Sequence, residues 1–320
     1  MNELEQRLAT CEGTDSAIVL ASGMAATACT MLALLRAGDH LVASSWLIGN
    51  TRAFLERELT AMGIDVTLID PTETRAWRKA MRRNTRVLFL ESPVNPTTRV
   101  VDLRPARMLA QEHGVALVVD STLASPVICR PVEHGADVVI HASMGMLSGH
   151  DDVHAGVVCS SDAVIDEVRD KMELWGPTPA AHTEVMLARG LVTIDVRVER
   201  QSASALQIAQ WAHSRASSAQ LASTRTMIGA VHYPGLPSHI DFETAQRTMR
   251  GGGVVIGMTV HGDESAGATL CGRLERFTRS AAVGDVVSHV HCGADGFVRL
   301  SVGLEAADSL IADLTQALDA

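Results

Sequence analysis

Seven short β-branched runs, separated by stretches of helical periodicity, constrain the fold of this chain more than any other feature. SAIVLAS, DHLVASS, DVTLID, RVLFLES, ALVVDS, ADVVIHAS and AGVVCS all fall within the first ~160 of 320 residues. Between them lie segments such as AATACTMLALLR, TRAFLERELTAMG and LRPARMLAQEHG, whose apolar residues recur at helical spacing. Alternation of this kind specifies a mostly parallel sheet covered by helices, and parallel strands buried on both faces read as continuous apolar runs, as these do. The fold class expected is therefore α/β, a three-layer doubly wound, mostly parallel sheet. After a long helical pattern, TIDVRVERQSASALQIAQWAHSRA, the grammar changes. GGVVIGMTVHG and GFVRLSVG read as strands, and LCGRLERFTRS and DSLIADLTQALDA as helices. A large α/β domain over residues 1–195 and a smaller C-terminal α+β domain over 196–320 are expected, with a ligand cleft at the carboxyl ends of the large-domain strands.

Composition narrows the partners. A net charge of −10 gives no footprint for phosphate backbones, so nucleic acid is not expected. No apolar run reaches the ~18 residues that span a bilayer, and MNELEQRLAT begins an amphipathic helix rather than a signal peptide, so a cytoplasmic chain without a membrane partner is expected. The 6 cysteines lack paired spacing and read as reduced thiols. His150, Asp151, Asp152 and His154 invite a metal reading, but no metal is expected there.

The segment Val138–Val158, VVIHASMGMLSGHDDVHAGVV, resembles the cofactor-lysine segment of the cystathionine γ-synthase, γ-lyase and O-acetylhomoserine sulfhydrylase family. That resemblance implies the fold type I architecture of pyridoxal phosphate enzymes. In the family a Ser-x-Thr-Lys run carries the lysine that forms the Schiff base. Here Ala142, Met144 and Gly145 stand at the serine, threonine and lysine positions, while Gly149, His150, Asp152 and Gly156 match. Lys79 and Lys171 are the only lysines, and both lie in helical stretches.

Other segments carry the same resemblance. LASGMAA matches the loop that cradles the cofactor phosphate, ESPVNPTTRVVDL puts Asn95 at the residue bonding the ring oxygen, and VVDSTLASP puts Asp120 at the partner of the pyridinium nitrogen. HYPGLPSH matches a C-terminal signature, and GFVRLSVGLE places Arg299 at the clamp on the substrate carboxylate. Candidate pocket residues are therefore Ser22, Gly23, Met24, Asn95, Asp120, Thr122, Ser143 and Arg299.

The departures cluster in the same pocket. Ile48 replaces a tyrosine that stacks on the ring, Ala282 replaces a serine near the substrate carboxylate, and the following helix is reduced to a short VHCGADG loop holding His291 beside His289. A Tyr-x-Arg pair that grips a neighbouring subunit's phosphate is expected to be lacking, since it would precede the first residue. These losses lead to the expectation of a degenerate member: no covalent pyridoxal phosphate, and at best weak noncovalent binding of it. The cleft would still serve an amino-acid-derived metabolite, with use as a lyase or transferase in specialised metabolism. The alternative is a non-catalytic subunit or pseudoenzyme partner of an active relative. Homo-oligomers, or hetero-oligomers with a family member, are expected.

Overall fold

The structure is a computed structural model that describes residues 2–142, 145–222, 227–262, 265–293 and 295–319. It divides into two compact units. The first comprises Met1–Val94, Val101–Ser143 and Val153–Arg189, and the second Asn95–Val100, Met144–Asp152 and Gly190–Ala320. Two short segments of the N-terminal half thus belong to the C-terminal unit.

The first unit is built on seven strands: β1 (Ser16–Leu20), β2 (His40–Ser44), β3 (Asp65–Ile69), β4 (Thr85–Glu91), β5 (Ala116–Asp120), β6 (Val138–Ala142) and β7 (Gly156–Ser160). Their order in the sheet is β1-β7-β6-β5-β4-β2-β3. Every pairing is parallel except those of β7, which runs antiparallel to both neighbours. The inner strands β2 and β7 are buried along their whole length, as is β1 at one edge, whereas β3 at the other edge is largely half-exposed and carries polar Asp65 and Thr67. Helices Gly23–Leu34 and Asp162–Trp175 close one core, in which Met31, Ile165 and Val168 pack with Ile18, Val138 and Val158.

The second unit has a five-stranded sheet of β8 (Ile228–His232), β9 (Val255–Val260), β10 (Thr278–Arg279), β11 (His289–Cys292) and β12 (Val298–Ser301), in the order β10-β11-β12-β9-β8. Side chains alternate across β12. Val298 and Leu300 enter a core shared with helices Ile194–Ala222, Ser265–Arg273 and Ala307–Asp319, so Arg299 and Ser301 take the opposite face.

Two local expectations are corrected here. The helix read through LCGRLERFTRS stops at Arg273, because the buried Asp313 carboxylate accepts from the backbone N–H groups of Glu275 and Arg276 (2.8–3.1 Å) and Thr278–Arg279 then pairs with β11. The shortened loop after Ser288 is not a loop at its start. His289–Cys292 forms a strand against β12, with His289 opposite Ser301 and His291 opposite Arg299. No helix among the described residues is long and apolar enough to cross a membrane.

Candidate active site

The seven-stranded unit presents an anion cradle where β1 turns into a helix. Ser22 is the N-cap of Gly23–Leu34, and its Oγ accepts from the Ala25 N–H at 3.1 Å. Gly23 and Met24 open the helix, so the unpaired amides of its first turn and the positive end of its dipole lie together. Gly156 keeps this turn in place by having no side chain, because a Cβ there would sit 2.1 Å from the Ser22 carbonyl oxygen. Thr51 Oγ1 lies 3.6 Å from Met24 Sδ at the same turn. Ile48, which the resemblance sets where a stacking tyrosine is expected, is 49% exposed.

Asp120 ends β5, opposite Glu91 of β4 and Ile140 of β6. Its Oδ1 accepts from Thr122 N (3.0 Å) and Thr122 Oγ1 (2.6 Å), and Thr122 Oγ1 in turn accepts from Ala142 N at 2.8 Å. Burial pushes the Asp120 carboxyl up, opposed by the Thr122 bonds and by nearby His141. A carboxylate held at a strand end under desolvation is a ready acceptor for a cationic ring N–H.

The second unit holds Asn95, Gly145 and Arg299. Arg299 is 4% exposed. Its Nη1 donates to Asn95 Oδ1 at 2.9 Å and its Nη2 to the Ala281 and Ala282 carbonyls at 2.6 and 3.4 Å, while Nε has no partner among the described residues. Burial lowers this guanidinium to about 10, so it stays charged at neutral pH. The same sheet face carries His289 and His291. His289 Nε2 lies 2.9 Å from Asp285 Oδ2, and both His289 Nδ1 and Asp285 Oδ1 are buried without a partner among the described residues. Sequence reading passed over this pair, although the i, i+4 spacing inside AVGDVVSH was its signal.

Gly145 is closed by packing. A Cβ at that position would lie 2.1 Å from the Val283 carbonyl oxygen and 2.7 Å from Asp285 N. Ser143 lies outside the described residues. The structure therefore joins Asp120 with Thr122 and Asn95 with Arg299, and puts Ser22, Gly23 and Met24 on one turn.

Comparison with known proteins decides what these parts belong to. Residues 1–295 match the model of the Cys/Met metabolism PLP-dependent enzyme family. The chain belongs to this family. It is 34% identical to the L-methionine gamma-lyase of Pseudomonas putida, over 100% of this chain and 83% of that protein, and 32% identical to the cystathionine gamma-synthase of Mycobacterium leprae, over 99% and 83%. Its fold is that of metB from Corynebacterium glutamicum, whose crystal structure superposes with a TM-score of 0.92 at 30% identity, covering 99% of this chain and 84% of that one.

These matches overturn the expectation that no pyridoxal phosphate is held covalently and little of it otherwise. The family is defined by dependence on that cofactor, and the match runs through the cradle, the aspartate and the segment around Gly145. The residues fit the group at two points. Ser22 with the amides after it suits a phosphate, and Asp120 under desolvation suits a pyridinium nitrogen.

Proposed function

We propose that this chain is a lyase or transferase for a small amino-acid-derived metabolite, working with pyridoxal phosphate. Arg299 carries the reading. A buried guanidinium with no carboxylate partner among the described residues is costly unless an anion completes it. Asn95 and two backbone carbonyls orient the fork without neutralising it, leaving Nε for a substrate carboxylate. When bound, pyridoxal phosphate supplies an electron sink for bonds next to the amino-acid carbon. Asp120 would hold the ring nitrogen proton, and the Ser22 turn the phosphate. His289, oriented through Nε2 by Asp285, can hold a proton at Nδ1 on the face that carries Arg299.

The test is turnover and binding of L-methionine, L-cystathionine and O-acetyl-L-homoserine by the cofactor-loaded protein. Arg299→Ala should lower kcat/KM and affinity by about 100-fold, near the upper end of what one charge-assisted contact supplies, with Arg299→Lys between the two. Equal binding by parent and Arg299→Ala would remove the argument. A second reading, a non-catalytic subunit for an active relative, is favoured by the closed packing at Gly145. It predicts no turnover by the loaded chain alone and altered activity of a relative on mixing.

A further inference from the structure

The HYPGLPSH segment plays no part in the site just described, yet it walls a cavity of ≈ 450 Å³ inside the second unit, a size suited to a small metabolite. Arg99, His213, His232, Ser238 and His239 give it polar walls, and Val231 and Ala216 apolar ones. We propose that this cavity is a second ligand site, which takes a small molecule bearing an oxyanion, carboxylate or phosphate.

Two unsatisfied imidazoles carry the argument. His239 is 5% exposed, and its Nδ1 accepts from the Asp241 N–H at 3.2 Å, which places the ring proton on Nε2. Among the described residues that Nε2–H has no acceptor, and His232 Nε2 has no partner either. Buried polar atoms left unpaired are rare, and here two of them share one cavity. Arg99 is fixed beside them by Asp241, through Nε at 2.5 Å and Nη2 at 3.2 Å, and Asp241 also accepts from Val100 N at 3.0 Å. The carboxylate is thus committed to protein donors, while the imidazoles are not.

Donors, rather than standing charge, select the ligand: the His239 Nε2–H calls for an oxygen lone pair, which an oxyanion supplies. Burial holds His239 down to about 4, with Asp241 pulling it up and His232 and Arg99 pushing it further down; burial and Arg99 lower His232 as well. Arg99, His213, His232 and His239 line the cavity, and no carboxylate is among the described residues that line it. An arriving anion would favour both imidazolium forms, so binding takes up protons and tightens as pH falls.

Calorimetric titration of the full chain with inorganic phosphate and with succinate, at pH 7.5 and 5.5, tests this. Saturable binding is expected for at least one, about tenfold tighter at pH 5.5, and the anion preferred identifies the ligand as phosphate- or carboxylate-bearing. His239→Asn keeps an acceptor for the Asp241 N–H but loses the Nε2 donor, and should weaken binding about tenfold or more. Should that variant melt early, His232→Gln gives the same reading. Binding unmoved by both variants but weakened by Ser22→Ala would put the anion at the helix terminus of the other unit and overturn the proposal, as would no saturable binding at either pH.

Discussion

The cradle at Ser22 and Asp120 and the segment at Gly145 have fared differently within one chain. Around Ser22 and Asp120 the geometry suits a phosphate and a ring nitrogen: a capped helix start, a glycine where backbone approaches backbone, and an aspartate fixed by Thr122. At Gly145, which the sequence resemblance sets at the family's lysine position, backbone from Val283 to Asp285 leaves no room even for a methyl group. The contrast teaches that the two segments answer to different constraints. The Ser22 turn and Asp120 sit on a helix start and a strand end that the fold uses anyway, whereas Gly145 sits where local packing admits no side chain.

The largest effect should come from challenging the closed position. Gly145→Lys should destabilise the protein by about 3 kcal/mol, the upper range for overpacking, because the obstacles are backbone atoms rather than movable side chains. Denaturant midpoints at unchanged m-value measure it. A lysine variant as stable as the parent would show that this segment yields easily and would dissolve the contrast.

Next in size is the Asp120 side of the comparison. Asp120→Asn keeps an oxygen for Thr122 but removes the charge that a pyridinium would meet, so pyridoxal phosphate affinity should fall between about 10- and 100-fold. Absorbance titration reads this directly. An unchanged affinity would mean that Asp120 is tuned for His141 and Thr122 rather than for the cofactor.

Much of the frame was legible because buried parallel strands announce themselves as apolar runs, and all seven runs of the first unit are strands. What was hidden depends on partners far along the chain. The end of the helix at Arg273 is set by Asp313, forty residues on, and β11, HVHC, is a four-residue strand too short for its alternation to stand out. In the site, Ser22, Asp120 and Arg299 could be named from motif resemblance. That Arg299 is oriented by Asn95 and by carbonyls rather than by a carboxylate could not, since backbone acceptors leave no trace in residue identity. The cavity at His239 is hidden for the same reason: its walls come from residues 99, 213–217 and 229–240, which only the fold assembles.

The smallest effect concerns the cap. Ser22 Oγ satisfies one of the four orphan N–H groups at the helix start, and its loss to alanine should cost about 1 kcal/mol of stability. A phosphate at this turn would bond the same amides, so bound pyridoxal phosphate should recover part of that loss, and the variant's melting temperature should rise more on adding cofactor than the parent's does. Asp102 caps a second helix, Leu103–His113, by accepting from Arg104 N, and supplies the control. Asp102→Ala should cost a similar amount but gain nothing extra from the cofactor. Equal cofactor-induced shifts in both variants would show that the Ser22 turn is an ordinary capped helix, and would leave Asp120 to carry the first unit's fit to the cofactor.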